Sequence, residues 1–516
     1  MAVRILDCTL RDGGYVNNWN FSQGQAIRVV EALSKSNIDI VELGYLDDDG
    51  RPSNSTLFDS VKSIDNLIND IDQNLSKVVM INLFDFDINK LPHKSKTKID
   101  GIRLAFHKEH IQAALAQAQQ IIDLGYQLFF QPMVTKNYSS EDFLSAISQA
   151  NQLAIHAFYI VDSFGSMSLK EFKEYVNLAN ENLRQDIGLG YHSHNNMQLA
   201  FSNAIDLCSV DFDREVIVDS SIYGMGRGAG NLNTELIADY LNAEGQRYNT
   251  IPLLEIIDEL LIHFFKKYSW GFSPAQYLSA SLDCHPSYAS YLVDKKTNHI
   301  ADIRNILEGI PSSCKNYFDK GIVDSLYQQY LLTDKVKAQG DIKISDKRVL
   351  LVASGSSVND KLALIKQKAE RDDYLVIALN HQPEVECDYY FFSNQQRFDT
   401  FNSNIPLEKQ VITTNIRHKG AVNIAIPLKD IAYIGDDFIT NVAILMINYL
   451  IQQGVGKIEV AGLDGYHTGK DNYTYNETSI AANENVFAEL NNAVSDSLLQ
   501  LKPFIEIDFI TSSIFA

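Results

Sequence analysis

The chain has 516 residues, 45% of them apolar and 10% aromatic, enough for two or three domains with large cores. Its 44 basic against 65 acidic residues give a formal net charge of −21, which argues against a nucleic-acid backbone or an anionic membrane as the main partner. Five scattered cysteines, Cys8, Cys208, Cys284, Cys314 and Cys387, contain no CxxC pair, so neither a disulfide framework nor a zinc–thiolate site is expected.

The start, MAVRILDCTLRDGG, has no apolar leader core, and no apolar run reaches membrane-spanning length, so a cytoplasmic location is expected. Short apolar runs then recur: RILDCTL (4–10), IDIVELGY (38–45), KVVMINLF (77–84), GIRLAFH (101–107), YQLFFQPM (126–133), HAFYIVDS (156–163), IGLGYHSH (187–194) and EVIVDSSIYG (215–224). Helix-period segments such as SQGQAIRVVEALSKSN lie between them. Eight strands alternating with helices predict a (β/α)8 TIM barrel over 1–250, in which the C-terminal strand ends carry the chemistry.

After residue 250 the pattern turns helical, and 251–332 is expected to be an extension that completes the active site. The polar stretch TDKVKAQGDIKISDK places a linker at 333–345. A separate Rossmann-like α/β domain is expected over 346–516, opening with RVLLVASGSSVND. Its turn SGSS lacks the full G-x-G-x-x-G of a dinucleotide site, and Asp464 and His467 are no more than candidates there, better suited to surface loops.

Taken alone, RDGG at 11–14 is a common turn and HSH at 192–194 a packing pair. The barrel changes both readings. On a strand, residues i and i+2 share a face, so His192 and His194 point the same way. Strands one and seven both flank strand eight, so Asp12 can converge with the two imidazoles above the barrel. Two imidazoles and a carboxylate with open positions suit a catalytic divalent ion. Arg11 beside that ion would stabilise an oxyanion such as an enolate. Its bland alternative is a salt bridge to Glu42 or Asp162. In YGMGRGAGNLNTE, Asn231 could add a carbonyl ligand or bind substrate.

DCTLRDGG, HSHNN and GMGRGAGN resemble the DRE-TIM metallolyase superfamily over roughly residues 1–300, with the 4-hydroxy-2-oxovalerate aldolases most similar in IRLAFHKE and IVDSFGSM. The resemblance implies a lyase that uses Mn2+ or Mg2+, with Zn2+ or Co2+ as alternatives, to join or cleave a 2-keto acid and an aldehyde. It implies Asp12, His192, His194 and Asn231 as metal ligands, Arg11 as oxyanion stabiliser, and Tyr288, Tyr15 or His107 as proton relay. Glu42, Arg103, Asp162 and Ser163 are then expected at the substrate. The aldolases carry a histidine three residues after the metal-binding Asp, where this chain has Tyr15, so the aldehyde is expected to differ from the usual short one. VLLVASGSSVND and VAGLDGYH loosely resemble bacterial sialyltransferase-like proteins, which points to a sugar-derived aldehyde. A homo-oligomer is expected. The alternatives are a Claisen-type acyl-CoA condensing transferase, which acetyl-CoA dependence would reveal, and a non-catalytic binding protein on a barrel scaffold.

Overall fold

The computed structural model describes residues 3–51, 53–68, 75–245, 247–295, 299–467, 472–474 and 484–516. The chain forms two compact units, Met1–Ser290 with Pro311–Phe318, and Tyr291–Ile310 with Asp319–Ala516.

The first unit is the expected TIM barrel. Its strands are β1 Val3–Asp7, β2 Ile40–Leu46, β3 Ser76–Asn82, β4 Gly101–Phe106, β5 Gln127–Pro132, β6 Ala157–Asp162, β7 Gly188–Ser193 and β8 Val216–Ser220. All pair in parallel in that order, and β1 closes the ring by pairing with both β8 and β2. Each strand alternates between two apolar environments, which is why all eight are legible as near-continuous apolar runs. Leu6, Ile40, Val78, Phe129, Ala157, Tyr159 and Ile217 fill the barrel interior. Ile5, Val41, Val79, Ile102, Leu104, Phe130, Phe158 and Val218 pack outward with the surrounding helices. Helices such as Gln23–Lys35, Ser140–Ala150 and Leu169–Asn182 each begin at a serine in a capping box.

β2 carries a bulge between Glu42 and Tyr45. One extra residue shifts the alternation, so both side chains, three apart in sequence, point to the same region of the barrel mouth.

The second unit holds a seven-stranded parallel sheet: β9 Arg348–Val352, β10 Tyr374–Leu379, β11 Tyr389–Phe392, β12 Gln410–Thr413, β13 Ile424–Ile426, β14 Lys457–Ala461 and β15 Glu506–Phe509. The order is β13-β12-β11-β10-β9-β14-β15, so the strand order reverses at β9 as in doubly wound folds. Val349, Leu351, Leu375 and Ile377 pack on one face, and Leu350, Val352, Val376 and Ala378 on the other. Asp464 ties the loop after β14 to the loop after β9 by accepting from Ser357 N and Oγ at 2.8 and 2.5 Å. His467 is exposed and makes a backbone bond to Asn472.

Two expected boundaries differ. The extension at 251–332 does not stay together: residues through Ser290 and 311–318 belong to the first unit, while Tyr291–Ile310 and the helix Lys320–Leu332 belong to the second. Asp302 carries that assignment, since Arg417 and Tyr330 both donate to its buried carboxylate. Nor is 333–345 a free linker. Lys335 and Val336 donate to the Thr414 carbonyl, Gln339 exchanges two backbone bonds with Ala425, and Ile342 is buried. The stretch is polar because its side chains face water while its backbone pairs with the sheet.

Asp7, at the end of β1, accepts from Thr9 N and Thr234 Oγ1, yet burial raises its carboxyl to about 6. The native state therefore holds this proton more tightly than the unfolded chain. Stability is lost as pH rises from about 4 through about 6, by roughly 3 kcal/mol for a shift of that size. We expect Asp7→Asn to be more stable than the parent at pH 7.5 and to lack this slope, as read from denaturant midpoints at pH 5 and 7.5.

Candidate metal centre and active site

After β1 the chain turns tightly, with Arg11 and Asp12 N–H both donating to the Cys8 carbonyl. The two glycines of RDGG answer to crowding. A Cβ on Gly13 would sit 2.3 Å from the Thr9 carbonyl, and one on Gly14 would sit 2.0 Å from the Trp19 ring. Trp19 folds back over this turn and donates Nε1 to the Arg11 carbonyl at 2.8 Å. The turn holds Arg11 and Asp12 against the barrel mouth, both buried.

There Asp12 meets His192 and His194, with ligand atoms of all three within 4.8 Å of one another, the one such group among the described residues. His192 directs Nδ1 to Asp219 Oδ2 at 2.9 Å. A carboxylate only accepts, so Nδ1 carries the hydrogen and Nε2 keeps its lone pair. His194 Nδ1 lies 3.8 Å from Asp12 Oδ2, buried with no hydrogen-bond partner. Asn231 donates Nδ2 to Asp12 Oδ2 at 2.6 Å and leaves Oδ1 buried and unpaired. A Cβ on Gly226 would fall 2.4 Å from Asn231 Nδ2 and 2.6 Å from Asp12 Oδ2, so the glycine loop closes on the cluster only without a side chain there. Burial opposes charge on Asp12, but His194, Arg11, His192 and Arg227 hold its carboxyl far below the usual carboxylate range. Burial also pushes His194 down to about 3, against the pull of Asp12. A carboxylate and two neutral imidazoles, with orphaned oxygen and nitrogen lone pairs, are the donor set of a divalent cation.

Arg11 bridges this cluster to a second layer. Its Nη1 donates to Asp12 Oδ1 at 2.6 Å and its Nε to Glu42 Oε2 at 2.7 Å, while Nη2 is buried with no partner. Arg103, wholly buried within the barrel, donates to the same Glu42 oxygen at 2.7 Å and to Asp219. Arg11, Glu42, Arg103 and Asp219 thus form one continuous chain of alternating charges, which ends on the His192 Nδ1 hydrogen. Glu42 and Arg103, both expected at the substrate, bond to Arg11, Asp219 and each other, and Glu42 keeps Oε1 unpaired.

Five other expected residues are placed as follows. Asp162 accepts from Ser166 and Met167 N–H at 3.1 and 3.0 Å, and burial raises its carboxyl to about 6, so it shapes the loop after β6. Ser163 Oγ accepts from Val134 N at 2.9 Å and is likewise a loop contact. Tyr288 is fully buried and donates its hydroxyl to the Cys314 carbonyl at 2.9 Å, which takes that hydroxyl from the role expected of it. His107 is half-buried against the Tyr317 ring, centroids 4.4 Å apart, with its ring pushed down by burial. Tyr15 stays at the mouth, 38% exposed, its hydroxyl 3.0 Å from that of Tyr45.

Arg227 and His285 are at the site without having been expected there. Arg227 Nη2 lies 3.5 Å from His194 Nε2, and Nη1 lies 3.2 Å from His285 Nε2. An arginine among the glycines of GMGRGAG was the available sequence signal; His285, just before the helix Pro286–Asp294, had none beyond its neighbour Tyr288.

Residues 2–258 match the HMGL-like family. The chain is 25% identical over 259 residues to a 4-hydroxy-2-oxovalerate aldolase of Bacillus thuringiensis, spanning 50% of this chain and 74% of that one. It is 23% identical over 248 residues to an oxaloacetate decarboxylase of Mycobacterium tuberculosis, spanning 47% of this chain and 70% of that one. The crystal structure of the N-terminal domain of a Bacteroides vulgatus protein described as a candidate aldolase superposes with a TM-score of 0.51 at 29% identity, covering 56% of this chain and 96% of that domain. Among the described residues no helix is long and apolar enough to cross a membrane.

Asp219→Asn keeps the shape but weakens the orientation of His192. We expect divalent-ion affinity to fall by about 10- to 100-fold, with lower stability because Arg103 loses half of its counter-charge. Isothermal titration with Mn2+ checks this, and unchanged affinity would show that Asp219 does not orient the ligand.

Proposed function

We propose that this chain, whose barrel belongs to the HMGL-like family, is a divalent-metal-dependent lyase that makes or breaks a carbon–carbon bond between the enolate of a pyruvate-like 2-keto acid and an aldehyde. The observation that carries the reading is the pairing of the Asp12–His192–His194 cluster with the unpaired Nη2 of Arg11. A divalent ion such as Mn2+ or Mg2+, held by two oxygens from Asp12 and the Asn231 carbonyl and two nitrogens from His192 and His194, would supply Lewis-acid polarisation of the keto group.

The protein's own groups account for the rest. Glu42 and Asp12 fix the Arg11 guanidinium by two edges, so its free Nη2 hydrogens are preorganised for the oxygen on which enolate charge grows. Tyr15 and Tyr45 share a hydrogen bond at the mouth. Burial holds the Tyr45 phenol well above its ordinary value, so it stays protonated and can return a proton through Tyr15. This pair stands where the aldolases carry a histidine. Tyr15, Trp19 and Tyr45 contact one another edge to face, with centroids 4.7 to 6.2 Å apart. Such a rim of aromatic faces with phenolic hydroxyls suits a hydroxylated, sugar-derived aldehyde better than a short alkyl one.

The test is to incubate metal-loaded protein with pyruvate in deuterated water and follow the methyl protons by NMR. Metal-dependent exchange is expected, and its absence under saturating metal would contradict enolate formation. Arg11→Lys keeps the charge but loses the planar fork. We expect it to retain the metal and lose about 10²- to 10³-fold in exchange rate; a near-normal rate would make Arg11 structural.

A further inference from the structure

Among the described residues no carboxylate hydrogen-bonds Arg227, whose charge is felt only at a distance by Asp12. The polar contacts of its guanidinium are His285 Nε2 at 3.2 Å, the Ser163 carbonyl at 3.4 Å and His194 Nε2 at 3.5 Å, none of them a carboxylate. Its Nε is buried without a partner. The carboxylates of the site are engaged elsewhere: Asp12 with Arg11 and Asn231, Glu42 with Arg11 and Arg103, Asp219 with Arg103 and His192. The Tyr15 ring, 5.2 Å from the guanidinium carbon, covers it from one side but carries no charge.

His285 sharpens the case. Ser287 N–H points at its Nδ1 from 3.2 Å, while the Arg227 guanidinium, which can only donate, faces Nε2. A neutral imidazole has one lone pair, so either tautomer leaves one N–H facing another. With the Nδ1 lone pair taken by Ser287 N–H at the start of its helix, the Nε2 hydrogen faces Arg227. Two donors then meet and need an acceptor beside them. Burial, with Arg227 next in weight, holds His285 down at about 2, so it adds no second charge.

We infer that Arg227 and His285 form an anion subsite beside the metal centre, taking a carboxylate or phosphate group of a substrate. Whether that group belongs to the keto acid or to its partner rests on the reading of the barrel as a keto-acid lyase; the existence of the subsite does not. A guanidinium fork plus one N–H is the donor geometry that a planar carboxylate or one face of a phosphate accepts. It also places a cation where the substrate's negative charge must be gathered in a chain of net charge −21.

The test uses the full-length protein loaded with Mn2+ and two anions, oxalate as a mimic of an enolised keto acid and inorganic phosphate, each titrated calorimetrically. Arg227→Met and Arg227→Gln remove the charge, the second keeping an N–H donor, and Arg227→Lys restores charge without the fork. We expect Mn2+ affinity to hold within about 3-fold and at least one anion to bind about 10-fold or more weakly in Met and Gln, with partial rescue by Lys. Loss of oxalate, with a raised KM and steady kcat for pyruvate exchange, assigns the subsite to the keto acid. Loss of phosphate alone, with exchange untouched, assigns it to the partner. Wild-type binding of both anions by Arg227→Met and Arg227→Gln, or of neither by the wild type, overturns the proposal. Arg227-dependent anion binding without pyruvate exchange would keep the subsite and defeat the lyase reading instead.

Discussion

Five ionisable groups that would each be costly to bury alone are buried together beneath the mouth of the barrel. Arg11, Glu42, Arg103 and Asp219 alternate in sign, His192 donates to the last of them, and each link is a direct hydrogen bond. Burying an unpaired charge costs several kcal/mol, and breaking one link of such a chain strands its neighbour. The barrel can hold this row because β2, β4, β7 and β8 each turn one of these side chains inward and the turn after β1 brings Arg11 onto them. The price of that arrangement is strict geometry, and its result is a set of metal-facing and substrate-facing groups that cannot drift. Arg11 presents one free edge because its other two are taken. His192 presents Nε2 because Nδ1 is taken. The groups at the mouth are therefore oriented from below, by Glu42, Arg103 and Asp219.

The upper side of the site is built differently. Loops supply it: the RDGG turn with Trp19 folded over it, the glycine loop carrying Gly226 and Arg227, and the segment that brings His285. Loops held on a rigid strand scaffold are where barrels vary their substrates. In the proposed reaction the floor serves the enolate, and the rim, with Tyr15, Tyr45, Arg227 and His285, faces the incoming molecules.

Sequence reasoning read the floor well and the rim poorly, for a physical reason. Barrel strands announce themselves as apolar runs, and period two puts His192 and His194 on one face without any structure. Asp12 followed from barrel closure alone. Arg103 and Glu42 were noticed, but nothing in a sequence tells whether an inward charge sits at the substrate or one layer beneath it. Loop side chains have no period to betray their direction. A resemblance points to Tyr288 and nothing in the sequence points to His285, yet three residues along the chain separate a phenol bound to a backbone carbonyl from an imidazole beside Arg227. The polar stretch at 333–345 read as a linker because composition reports side chains, whereas its backbone bonds to Thr414 and Ala425 decide its place.

The account stands on a divalent ion held by two imidazoles and the Asp12 carboxylate. The most direct measurement is pulsed electron paramagnetic resonance of the Mn2+-loaded protein, which detects nitrogen bound to the metal. The account predicts modulation from two imidazole nitrogens, falling to one in His192→Ala or in His194→Ala. Tightly bound Mn2+ with no nitrogen modulation, or a spectrum unaltered by either substitution, would place the metal elsewhere and remove the basis for the chemistry derived from this cluster.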